Sequence, residues 1–122
     1  MTLFALFFSF IFGLLFSFTS IPATQSNTRD TERKSDINQI HAKLEEYYIE
    51  NGDYPTEEGL ALNYDIKLPG LDPEALSDPN GTHIGSGDYS YHPTECTALG
   101  CAHYALIARL EDGETYTRHS LN

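Results

Sequence analysis

The stretch from Thr28 to Asn51, TRDTERKSDINQIHAKLEEYYIEN, constrains this chain more than any other. Ile37, Ile40, Leu44, Tyr47 and Tyr48 stand at i, i+3, i+7, i+10 and i+11, the spacing of one face of an amphipathic helix. Asp36, Gln39, Lys43, Glu45 and Glu50 fall between them and predict a solvated opposite face. No Pro or Gly interrupts the run, and Asn51-Gly52 supplies residues that commonly end a helix. Such a helix is about 36 Å long. Another part of the chain has to cover its apolar face.

What precedes it is of a different character. Residues 1–28 carry no charged side chain, and Leu3 to Phe18 reads LFALFFSFIFGLLFSF, apolar through to Ile21. A run of about 19 such residues approaches the length that spans a bilayer core as a helix. It is apolar all round, unlike the surface helix of a soluble domain. A cleaved signal peptide is the competing reading. No Lys or Arg precedes the run, and a cut after Ile21-Pro22-Ala23 would leave a bulky Ile at the third residue back, so a retained anchor is favoured. Leu3, Phe7, Phe10, Leu14 and Phe18 are then the candidate membrane or assembly positions. Pro22 is expected to kink or break a continuous helix into the spine. The chain divides into a hydrophobic segment, 1–22, and a globular domain, 23–122.

Within that domain, 28–51 is the spine and 52–87 an irregular connection. Pro69, Pro73, Pro79 and five glycines lie between 56 and 87, with room for a short helical turn at Pro73–Leu76. Residues 88–122 supply antiparallel strands. Tyr89-Ser90-Tyr91 alternates, His103–Leu110 is β-rich, and Thr115–Leu121 follows a Glu111-Asp112-Gly113-Glu114 turn with a hairpin signal. The predicted class is α+β, one long helix packed under a small antiparallel sheet.

Charge narrows the partners. Eighteen acidic residues against seven basic ones leave a net charge of −11. That argues against nucleic acid, whose phosphates need a positive footprint. Arg29, Arg33 and Lys34 form the one basic cluster and lie after the apolar run, a placement that by the positive-inside tendency would keep the domain cytoplasmic. Cys96 and Cys101, with four residues between them, point the other way, because a local pair suits a disulfide in an oxidising compartment.

Catalytic motifs are lacking: no phosphate loop, nucleophile elbow, His-Glu-x-x-His or paired Cys-x-x-Cys occurs, and no small-molecule substrate or cofactor is expected. His92, Cys96, Cys101 and His103 are four conceivable zinc ligands, but the spacing suits tetrahedral convergence poorly, so a disulfide is preferred, with free thiols as the other alternative. Asp78, Asn80 and Asp88 could form a calcium loop, or be turn residues capping their own backbone. Glu45-Glu46 and Glu57-Glu58 read as solvated charge rather than acid/base pairs. His41 borders the apolar face and is expected to pack. The many tyrosines read as core or half-buried residues with hydroxyls at the rim.

Two segments carry a family resemblance. RDTERKSDINQI leading to LEEYYIENGDYP is similar to the spine helix of type IV pilins and type II secretion pseudopilins. Tyr89-Ser-Tyr, the cysteine pair and YALIARLEDGETYTRHSLN resemble the closing strands of the same group, so residues 28–55 and 88–122 are covered. The cleavage motif is degenerate: Thr2-Leu3 fits the family's processed start, no leader Gly stands before it, and Ala5 occupies the place of the family's Glu. The resemblance implies a structural subunit, not an enzyme, anchored by a single pass with its domain outside the cytoplasm. Its partners would be other pilin-like subunits, their assembly machinery and the membrane, and its destination a pilus, a secretion filament or the cell surface. An exported, anchored binding or adhesion module on the same fold is the alternative.

Overall fold

The structure, a computed structural model, describes the backbone of residues 2–122 and the side chains of residues 24–122. It is an α+β fold. Helix α1, Thr2–Asn51, is followed by helix α2, Glu57–Lys67, a short 3-10 turn over Pro73–Leu76, and strands β1, Tyr89–Cys96, β2, Cys101–Arg109, and β3, Thr115–His119. The strands form one antiparallel sheet in the order β1-β2-β3.

Helix α1 is continuous through Pro22, where a kink or break was expected. A proline costs a helix one backbone hydrogen bond and some crowding, and a helix of 50 residues retains its other bonds on both sides. The expected membrane or assembly positions Leu3, Phe7, Phe10, Leu14 and Phe18 lie outside the residues with described side chains. Among the described residues no helix is long and apolar enough to cross a membrane.

The other end of α1 stops where its sequence demands. Gly52 takes φ +79°, and its N–H donates to the Tyr48 carbonyl at 2.7 Å, which caps an otherwise unpaired carbonyl in the last turn. The chain then turns back onto the sheet. Tyr54 and Cys101 exchange two backbone hydrogen bonds of 2.8 Å, and Gly100 lies so close that a Cβ there would stand 2.5 Å from the Asp53 carboxylate.

Residues 52–87 are more ordered than the sequence reading expected, because they contain α2. The Thr56 side chain accepts from Gly59 N–H at 3.0 Å, Glu57 and Glu58 fill the first turn, and Lys67 sits in the last. Each of these matches the unpaired groups and partial charge at its helix end. The surrounding prolines and glycines hid a window, 56–68, that contains Gly59 alone. The helix bends at Asn63, whose φ −133° and ψ 33° are not helical, and only Leu60 of α2 is buried.

The sheet lies over α1 as a lid. Ile37, Ile40 and Leu44 are completely buried, together with Tyr54, Leu68, Leu76, Tyr89, Tyr91, Tyr104, Leu106 and Ala108. Tyr47 and Tyr48 are partly buried and pack at the edge of this cluster. Each aliphatic side chain removed from water contributes roughly 1.5–3 kcal/mol, so the α1 face and the alternate residues of β2 supply much of the driving force. Strand β1 runs on past Tyr91 to Cys96 and includes Pro93. Pro93 is tolerated because β1 is an edge strand, where a missing N–H leaves no ladder bond unmade. Cys96 and Cys101 are register partners across the β1–β2 hairpin and form a disulfide.

Candidate functional site

Two polar clusters and one solvent-facing cationic patch lie along the seam between α1 and the sheet. The first cluster is built around Arg33. By spacing Arg33 belongs to the apolar face, four residues before Ile37, and it is 1 % exposed. Its guanidinium pairs with Asp30 Oδ1 at 2.9 Å, Asp88 Oδ2 at 3.2 Å and Glu111 Oε2 at 3.5 Å. Arg29 also pairs with Glu111, and Arg109 reaches Asp88 at 3.4 Å. The ion pairs therefore tie the spine to the start of β1 and to the β2–β3 turn. The Arg33 Nε is buried without an acceptor, a cost the ion pairs have to offset. Arg29 and Arg33 thus spend their charge internally, and of the basic cluster Lys34 alone stays unpaired by a carboxylate among the described residues.

One turn on, Asp36 is 7 % exposed and accepts from the Tyr89 hydroxyl at 2.7 Å. Burial pushes its carboxyl up to about 6, the Tyr89 hydrogen bond opposes that, and nearby Glu32, Asp72 and Glu74 add to it.

The second cluster gathers on Glu45. Tyr54 donates to Glu45 at 2.8 and 3.0 Å, Tyr104 at 3.0 Å, and the Leu121 N–H at 3.0 Å. Tyr104 Oη is also 2.6 Å from His41 Nδ1. A phenol has one proton; given to the acceptor-only carboxylate, it leaves His41 Nδ1–H to donate to the phenolic oxygen. Burial, then the nearby Arg118, lowers the His41 pKa, which favours this neutral imidazole. Burial, with Glu45 beside it, pushes the Tyr104 phenol far up, so it stays a donor. The hydroxyls of Tyr54, Tyr89, Tyr91 and Tyr104 thus point to internal acceptors (Tyr91 to the Pro55 carbonyl at 2.7 Å), where the sequence reading placed tyrosine hydroxyls at the rim.

The candidate metal sites resolve differently. His92 and His103 are exposed, Cys96 and Cys101 are joined to each other, and His103 Nδ1 lies 2.7 Å from the Asn122 carbonyl. Among the described residues no three His, Cys, Asp or Glu side chains gather as ligands would. Asp78 is 4 % exposed, and its carboxylate accepts from the backbone N–H groups of Asn80, Thr82 and Asp88. Asp88 is occupied by Arg33, Arg109 and Asn80. This is a turn capping its own backbone. Among the described residues, a depression of about 80 Å³ lined by Leu60, Ala61, Ile84 and Tyr91 is too small for a metabolite.

Outside the clusters, the α1–β3 seam opens to solvent. Lys34 Nζ stands 5.8 Å above the Tyr116 ring, and Asn38 Oδ1 accepts from Tyr116 at 3.0 Å and from Arg118 at 2.7 Å. Neither cation has a carboxylate partner among the described residues.

Ile37, Ile40 and Leu44 belong to the buried cluster, and Tyr47 and Tyr48 pack against it. Sequence reasoning did not identify Arg33, Asp36 and Glu45 as buried or half-buried anchors. The one available signal was register: Arg33 and Asp36 fall on or beside the apolar stripe.

Against known proteins, residues 21–80 match the family described as type II secretion system (T2SS), protein G. The match takes in residues 21–51 of α1, all of α2 and the 3-10 turn, and ends before β1. No curated protein and no solved structure matches the chain.

Proposed function

On the premise that this is a pseudopilin-like chain, we propose that it is a structural subunit that assembles through α1 into a type II secretion-type filament. The observation that carries the reading is the family match across the spine, on a helix whose apolar face the chain's own sheet seals from Arg33 onward. The apolar face of the spine is thereby occupied within the chain, and the apolar N-terminal part of the helix is the one that packs against neighbours. In this reading residues 1–22 lie in the membrane or in a filament core, with Leu3, Phe7, Phe10, Leu14 and Phe18 against the same segment of neighbours. Residues 23–122 form the domain, held outside the cytoplasm, where Cys96–Cys101 stays oxidised. The work of the molecule is assembly rather than chemistry, and its partners are other pilin-like subunits and their machinery.

The test is deletion and complementation in the native host, combined with membrane fractionation and in-cell crosslinking. The expected result is a membrane-fraction protein that crosslinks to pilin-like subunits, with secretion or filaments lost on deletion and restored by the gene. A soluble protein with no pilin-like crosslink, or deletion without effect on either readout, would overturn the reading.

A further inference from the structure

Two of the surface features that the fold does not use are complementary in charge. Of the seven Lys and Arg residues, Arg29, Arg33, Lys43 and Arg109 have carboxylate partners. Among the described residues Lys34, Lys67 and Arg118 have none, and Lys67 donates to the Tyr47 hydroxyl instead. Lys34 and Arg118 flank one half-buried ring, Tyr116, and Asn38 takes a single donor of the Arg118 guanidinium. The guanidinium also lies beside the Tyr116 hydroxyl, and none of its partners among the described residues is a carboxylate. On a chain of net charge −11, this is a local positive groove.

The second feature is α2. Leu62 and Ile66 are 70 % and 73 % exposed, although helices of soluble domains usually bury such residues. Glu58 lies one turn before Leu62 and Asp65 next to Ile66, on either side of the bend at Asn63; both are exposed, and neither has an ion-pair partner among the described residues. The helix therefore offers carboxylates and uncovered aliphatic surface together.

We propose that the α1–β3 groove of Lys34, Asn38, Tyr116 and Arg118 receives the exposed α2 face of a second copy of this chain, Glu58 and Asp65 against the two cations and Leu62 and Ile66 against the Tyr116 ring. The inference rests on the assembly reading above and names the surface that reading lacks. Charge complementarity selects the occupant. Two grooves facing each other would oppose cation to cation, and two α2 faces would oppose acid to acid, so the contact joins different patches on the two copies. Where the two patches meet once per pair rather than reciprocally, the contact continues as a ring or an open filament. One docking event also covers both leftovers: the aliphatic side chains leave water, and the unpaired cations gain charged acceptors.

Two differently tagged full-length copies, co-expressed and extracted in mild detergent, provide the test, with capture of one copy reporting the other. Charge reversal in the groove of both copies, Lys34→Glu with Arg118→Glu, is expected to lower co-capture about tenfold or more, and Glu58→Lys with Asp65→Lys in both copies to do the same. A groove-reversed copy paired with an α2-reversed copy should recover most of the wild-type capture, and Leu62→Ser with Ile66→Ser should weaken it. Arg118 also touches the fold through Asn38, so Lys34→Glu alone, at an exposed position, is run in parallel and should lower capture on its own. Full capture by Lys34→Glu and by the groove-reversed copies overturns the groove and leaves assembly standing. So does a swapped pair that stays apart while each variant melts like wild type. If wild-type copies fail to capture each other, the contact is overturned, while the assembly reading stands or falls on its own crosslinking and deletion test. If the groove variants keep co-capture but lose binding to phosphatidylglycerol vesicles, the groove faces lipid and the proposal is overturned.

Discussion

The clusters on Arg33 and Glu45 sit about 18 Å apart along one helix and hold the same sheet by opposite means. Around Arg33 one buried cation meets three carboxylates, and a guanidinium nitrogen is left without an acceptor. Around Glu45 one carboxylate collects neutral donors, two phenols and a backbone N–H. Charge in the first cluster fixes where β1 and the β2–β3 turn dock, at a desolvation cost that can rival the gain. The second cluster buries little charge and supports the most apolar part of the helix. Polar anchors of similar appearance therefore differ in what they contribute: register in one case, stability in the other.

The comparison can be broken at the core that both clusters flank. Leu44→Asp places an unpaired charge at a position of zero exposure and should cost more than about 4 kcal/mol. Thermal melting of the full chain in detergent, followed by the near-ultraviolet signal of the tyrosines, is the check. An unchanged midpoint would mean that the sheet does not cover this face.

Arg33→Ala ranks next. It removes the shared cation and leaves Asp30, Asp88 and Glu111 facing one another, a loss of about 3 kcal/mol. Arg33→Met keeps the volume without the charge and tests the division of labour. If the cluster chiefly sets register, the methionine variant should recover most of the melting temperature while protease sensitivity rises at the 111–114 turn. Glu45→Ala should cost about 2 kcal/mol by stranding the Tyr54 and Tyr104 hydroxyls, with no such loosening of the turn.

Asp36 offers the smallest effect and a change of sign. Its carboxyl lies at about 6 in the fold against 3.8 for the free group, so the protonated form is the one the fold favours. The stabilisation this gives is complete below about pH 3.8 and is lost as pH rises through about 6. Asp36→Asn should therefore gain stability at pH 8 and nothing at pH 3.5. His41 works in the opposite direction. Its lowered pKa means that the fold disfavours the imidazolium, so acidification below its ordinary value of 6.5 destabilises through His41 while relieving Asp36. Urea denaturation of wild type and Asp36→Asn across this range separates the two. A gain that does not vary with pH would show that Asp36 is not the titrating group.

Much of the architecture was legible along the chain because it rests on periodicity and turn chemistry. The 37-40-44 spacing marks the covered face, Asn51-Gly52 the end of the helix, and Asp112-Gly113 the last hairpin. Helix α2 was not legible. Its residues have a single buried position, Leu60, so no periodic stripe announces it, and its cap and end charges lie among prolines and glycines that signal loop. The calcium-like triplet Asp78, Asn80 and Asp88 could be read two ways until the donors around it were seen. A carboxylate in a turn looks the same in sequence whether it faces an ion or its own backbone.

What the sequence determined by itself was local: an apolar start, an amphipathic spine, strands of alternating pattern, and a cysteine pair near enough in sequence to be bridged. Which charges go inside was decided by the tertiary structure alone. Arg33 is buried because Asp88 and Glu111, 55 and 78 positions further on, arrive beside it when the sheet closes over α1. Glu45 becomes an anchor because Tyr54 and Tyr104 converge on it from different elements. A side chain's desolvation is set by everything packed around it, and its partners here are remote in sequence, so no window along the chain contains the information.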